Sequence, residues 1–115
     1  MAGAMTQAAI RDFHAHIYFD AGEVDQARAL AAAVAARFPI AVGHFHTRPV
    51  GPHPRGSVQL TVPTEAFGEV AQFLALNRAG LTVFAHAETG DDRADHRNHV
   101  IWFGPSETLD LALFG

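Results

Sequence analysis

Two histidines one residue apart, His14 and His16, sit in the segment Phe13-His14-Ala15-His16-Ile17-Tyr18-Phe19. Phe13, Ala15, Ile17 and Phe19 alternate there with His14, His16 and Tyr18. Side chains alternate across a strand, so this alternation predicts one with an apolar face and a titratable face. Two imidazoles two positions apart lie roughly 7 Å from each other on one side, within reach of a common ion. Six further histidines are spread through the 115 residues, at 44, 46, 53, 86, 96 and 99. Neutral imidazoles of ordinary pKa suit two chemistries, metal ligation and proton transfer. Any one of them alone fits a surface or structural role; together, ligation requires imidazoles from different segments to converge.

The remaining composition narrows the choice. There is no cysteine, which excludes a disulfide framework, a thiolate nucleophile and a zinc finger. A nitrogen and oxygen ligand set suits Fe(II), Zn, Mn or Ni without choosing among them. Glu88 and Asp95 are the candidates for a carboxylate ligand. The net charge is −4, and all eight basic residues are arginine; no basic face for nucleic acid is evident. Arg48, Arg55, Arg78 and Arg97 flank the histidine segments and could grip a substrate carboxylate. No Gly-x-Ser-x-Gly motif or phosphate loop occurs. Neither a membrane-length apolar run nor a signal-peptide pattern is found, so a cytoplasmic protein without a membrane partner is expected.

The elements that must position these residues follow in order. After the first strand, Asp20 and Glu23 form a capping box for a helix that Pro39 ends. Residues 40–47 predict a second strand with Ile40, Val42, His44 and His46 on one face. Residues 48–56 hold three prolines and two glycines, a stiff loop with His53 between Pro52 and Pro54. Residues 57–62 alternate as a third strand, with Val58, Leu60 and Val62 inside. A second helix is expected over roughly 65–78, and a fourth strand over 81–87, ending near His86. Residues 88–98 read as a polar loop and 99–103 as a short final strand. Residues 106–109 could begin a last short helix or a docking tail.

With 49% hydrophobic residues the chain can bury its own core. We expect one domain over 12–115, with 1–11 as a disordered terminus. The order β-α-β-β-α-β predicts an α+β ferredoxin-like sandwich with both helices on one face of an antiparallel sheet. In that plan the first and last long strands are neighbours, bringing His86 towards His14 and His16. The face left open carries histidines, and fold analogy points to a second copy covering it, as a homodimeric α/β barrel.

Several of these pieces occur together in one family. The strand 13–19, Pro49-Val50-Gly51-Pro52-His53-Pro54, Leu76-Asn77-Arg78, His86-Ala87-Glu88-Thr89-Gly90 and Asp95-His96 resemble the DOPA 4,5-dioxygenase family. Ala87 departs from it, standing where that pattern commonly has proline. The resemblance implies extradiol cleavage of a DOPA-like or other substituted catechol by O2, with non-haem Fe(II) as cofactor, or Zn or another divalent ion in purified protein. On that reading His16, His53 and His86 are the expected metal ligands. His14 and His96 are expected as acid/base or substrate-orienting groups, and Tyr18, Arg78 and Trp102 as substrate contacts. His46 fits the family pattern without a role, and His44 and His99 are expected to be surface or structural. The alternative is a non-catalytic dimeric metal- or small-ligand-binding protein of the same fold.

Overall fold

The computed structural model describes residues 5–115. The expectation of a disordered terminus falls partly on residues 1–4, which lie outside the described residues. The histidine-bearing segment is strand β1, Asp12–Phe19. It is followed by a 3-10 turn, Ala21–Glu23, and helix α1, Val24–Arg37. Asp20 and Glu23 form the expected capping box, so the short polar pair sets the helix entry. The remaining elements are β2 (Ala41–Val42), β3 (Gly56–Val62), α2 (Thr64–Asn77), β4 (Val83–Glu88), α3 (Asp92–Arg97) and β5 (Val100–Phe103).

The architecture is α+β: a single five-stranded sheet in the order β2-β3-β1-β4-β5, antiparallel at every pairing. β1 lies between β3 and β4, as the expected topology requires. Period-two alternation then sorts the side chains. Ala15, Ile17 and Phe19 of β1, Val58, Leu60 and Val62 of β3, and Val83 and Ala85 of β4 form one buried cluster. They pack with Ala27, Leu30, Ala31 and Val34 of α1 and Ala66, Val70 and Leu74 of α2. The alanines of α1 let it lie close on the sheet. The opposite face carries His14, His16 and Tyr18 with their cross-strand partners Thr61, Gln59 and Ser57 on β3.

Three elements differ from expectation. The second strand is only Ala41–Val42, after which the chain rejoins β3 at one isolated bridge, His46 to Ser57. Val42 is opposite Leu60, on the helix side, whereas His46 is opposite Ser57, on the other. An even step along a regular strand cannot change faces, so residues 43–46 hold one extra residue, as in a bulge. His46 is thereby moved to the open face. The loop 88–98 contains helix α3, capped by the Asp91 carboxylate accepting the Ala94 N–H at 3.1 Å. Residues 106–109 form no helix; a 3-10 turn occurs later, at Ala112–Phe114.

Candidate metal centre

The β1–β4 register puts His14 directly opposite His86. His16, two residues on, leans along the same face, and its Nε2 is 3.1 Å from Nε2 of His86. His14, His16 and His86 each offer a ring nitrogen within 4.8 Å of the others. Two ligands at right angles, each about 2.1 Å from one ion, stand about 3 Å apart, so the His16–His86 spacing is that of neighbouring ligands. His86 Nδ1–H donates to the carbonyl of Ala87 at 3.0 Å, which leaves Nε2 as the bare nitrogen aimed at His16. Burial holds the His16 imidazole well below its ordinary pKa, helped by His53, His86 and His14. Burial takes His86 down to about 4, against a raising contribution from the Ala87 carbonyl. The His16 and His86 imidazoles are thereby held neutral at pH 7 and have lone pairs to give to a cation. The donor set therefore fits a divalent metal of intermediate softness.

His53 lies beside this group rather than within it. The turn that carries it is closed by its own N–H bonding to the Val50 carbonyl at 3.1 Å. Its ring is 4.1 Å from that of His16, and its Nδ1 shares a 2.8 Å hydrogen bond with the Tyr18 hydroxyl. Burial lowers its pKa to about 4, with His96 and His46 adding to the shift. Tyr18 is fully buried, and burial pushes its phenol above the usual range. A cavity of about 240 Å³ opens beside these groups, lined by His16, His53, His46, Ser57, Gln59 and Val50 among others. Ser57 and Gln59 were legible as the polar side of a strand, but nothing in their types marked them as cavity walls.

His96 projects from α3 onto the same centre. Its ring is 4.1 Å from His86 and 4.6 Å from Phe114, and its Nδ1–H donates to the Asp92 carbonyl at 2.7 Å. Trp102, opposite Phe84 across β4 and β5, has its ring 4.6 Å from Phe84 and 6.1 Å from Tyr18. Arg78 is set apart on the helix side, where it donates to the Leu81 carbonyl at 3.1 Å and lines a cavity with Gln26, Phe73 and Asn77. Neither candidate carboxylate joins the histidines as a ligand. Glu88 is 3.9 Å from His86 Nδ1, the nitrogen facing away from His16, and Asp95 is fully occupied by Thr89 and His99. His44 is exposed, 4.7 Å ring to ring from His46.

The C-terminal segment runs past the centre. Glu107 accepts two hydrogen bonds from Arg55, at 3.1 and 2.8 Å. Asp110 N–H donates to the Pro52 carbonyl at 2.9 Å. The segment thus ties the loop of His53 to Phe114 and the ring of His96. Neither Arg55 nor Glu107 carried a sequence signal that they would pair.

Fold and site define a small α+β protein with an all-imidazole candidate metal centre on the sheet face opposite α1 and α2. The Dopa 4,5-dioxygenase family model matches residues 13–113, and the chain belongs to that family. It is 36% identical over 112 residues to a DOPA 4,5-dioxygenase of Amanita muscaria, covering 90% of this chain and 49% of that protein. It is 32% identical to an uncharacterized 21.2 kDa protein of Botryotinia fuckeliana, over 88% of this chain and 62% of that one. The chain therefore spans 49% and 62% of the lengths of these two relatives. A crystal structure from Nostoc punctiforme, described as that of a candidate dioxygenase, superposes with a TM-score of 0.87 at 39% identity, over 90% of both chains.

Proposed function

We propose that this chain is a metal-dependent extradiol dioxygenase that opens the ring of a DOPA-like or other substituted catechol with O2. The observation that carries the reading is the convergence of His14, His16 and His86, with 3.1 Å between two Nε2 atoms, in a member of the Dopa 4,5-dioxygenase family. His16 and His86 would hold the metal, with His14 as third ligand. His53, engaged by Tyr18, stands on the substrate side, a different division of roles from the His16, His53 and His86 set. Fe(II), when bound, supplies the one-electron chemistry that lets a closed-shell catechol react with O2.

The chain's own residues bind the substrate, exclude water and hold protons. The cavity beside His16 and His53 is the seat of the ring, with Val50 as its apolar wall. Tyr18 and Phe84 are fully buried and back His53 and His16, with Trp102 packed on Phe84. His96 has its Nδ1–H fixed by the Asp92 carbonyl, so its Nε2 is the nitrogen available to take a catechol proton. The Tyr18–His53 hydrogen bond holds a second proton beside the cavity. Arg78, on the helix side, has no part in this scheme. We further read the fold as ferredoxin-like, a single domain over 12–115. In this reading it pairs as a homodimeric barrel in the cytoplasm, with no nucleic-acid or membrane partner. Among the described residues no helix is long and apolar enough to cross a membrane.

The test is anaerobic loading with Fe(II), then a catechol, then air. Oxygen uptake with a yellow ring-opened product is expected. Tight Zn binding without oxygen uptake under any catechol tried would instead make the protein a metal- or ligand-binding module.

A further inference from the structure

Helix α3 is six residues long, Asp92–Arg97, far short of what sustains an isolated helix in water. It has no apolar side to dock with. Its one fully buried residue is a carboxylate, Asp95, at 0% exposure. Asp95 Oδ2 accepts the Thr89 N–H at 2.7 Å, and Oδ1 accepts the Thr89 hydroxyl at 2.7 Å and His99 Nδ1–H at 2.8 Å. Thr89 directly follows β4 and His99 directly precedes β5. A single carboxylate thus pins the helix to the ends of two neighbouring strands. His96, the next residue, faces the centre, with its ring 4.1 Å from that of His86.

We infer that Asp95 is a positioning residue: through its bonds to Thr89 and His99 it fixes α3 so that His96 is held over His86. The inference deepens the proposed function and rests on it, because the proton-accepting role of His96 belongs to that reading. A buried carboxylate with three donors is costly to remove, since each donor is then left without its acceptor. The metal-holding group is on β1 and β4 and does not depend on α3. Loss of Asp95 therefore displaces His96 while the metal stays.

The experiment compares Asp95→Ala, Thr89→Val, His96→Ala and the Asp95→Ala/His96→Ala double variant. Thr89→Val removes one donor to Asp95 and keeps the backbone bond, so it covers the case in which Asp95→Ala fails to fold. In Zn-loaded, 15N-histidine-labelled protein, the His96 ring signals shift in Asp95→Ala and shift less, in the same direction, in Thr89→Val. Those of His14 and His16 hold, and bound Zn is retained. In the Fe(II)-loaded protein with a catechol, Asp95→Ala lowers kcat roughly 10–100-fold, the scale of losing an outer supporting partner. The double variant is no slower than His96→Ala alone, because both changes remove one function. Unmoved His96 signals in folded variants, or losses that multiply in the double variant, overturn the inference. A wild type that turns over no catechol refutes the proposed function instead, and the ring signals then decide the place of Asp95 alone.

Discussion

At the scale of single residues, the proposed function separates the histidines that would bind metal from those that would assist. His16 and His86 present nitrogens to each other at 3.1 Å, and His86 is locked in one tautomer by Ala87. His53 also has its Nδ1 engaged, by Tyr18, but it lies outside the trio whose ring nitrogens are within 4.8 Å of one another. Replacing His16 or His86 by Ala should weaken metal binding by more than about 100-fold, beyond the range for loss of an outer partner. His53→Ala should stay within about tenfold of wild type while catechol turnover falls. Chelator competition with Zn measures both. Loss of metal from His53→Ala equal to that from His16→Ala would return His53 to the ligand set and displace His14.

At the scale of elements, a glycine at the start of β3 controls how closely the strands approach. A Cβ at Gly56 would stand 2.9 Å from the Phe19 carbonyl oxygen and 3.0 Å from that of His46. Both are backbone atoms, and neither can swing away as a side-chain tip would. One belongs to the end of β1, the other to the bridge that brings His46 to the open face. Gly56→Ala should therefore destabilise the fold by about 1–3 kcal/mol, the usual range for overpacking, read as a lower urea midpoint at unchanged slope. Wild-type stability would mean that the strands separate without strain. This scale also shows where the sequence was informative. The alternation of residues 13–19 announced β1 and its two faces, and strand order then placed His86 opposite His14. The bulge before His46 had no local signal, since it depends on how two strands run out of register. Helix α3 was hidden because Asp92-Arg93-Ala94-Asp95-His96-Arg97 has no apolar periodicity; a buried carboxylate replaces it. The proposed choice of His14 over His53 as third ligand rests on distances between ring nitrogens, which residue spacing does not give.

At the scale of the whole molecule, the centre concentrates neutral imidazoles in the folded state, and this ties stability to pH. An unfolded histidine titrates near 6.5, whereas His53 and His86 are held at about 4 by burial and His16 is held well below its ordinary value. Between those limits the unfolded chain binds more protons than the folded one, so stability rises with pH. The contribution is complete above about pH 6.5 and is lost as pH falls towards 4. Every tenfold weakening of proton binding on folding corresponds to about 1.4 kcal/mol. Two such groups can therefore remove several kcal/mol, a large share of the roughly 5–15 kcal/mol typical of a domain. Asp95 acts in a different window. Burial pushes its carboxyl up, but the Thr89 N–H, His99 and the Thr89 hydroxyl outweigh that and hold it below the usual carboxylate value. Its contribution is kept through the histidine window and is lost only in stronger acid. Metal adds to the same side, since it binds neutral imidazoles: at 100 times its dissociation constant it contributes about 2.7 kcal/mol, which acid also removes. Metal-free protein should thus show a urea midpoint that falls steadily from pH 7 to 4.5. Zn should raise the midpoint at pH 7 and have little effect at pH 4.5. The metal-free slope should be shallower in His86→Gln, which removes one of the three depressed rings. A midpoint independent of pH across that range, with or without Zn, would mean that these rings titrate as they do in water and that folding does not hold them neutral.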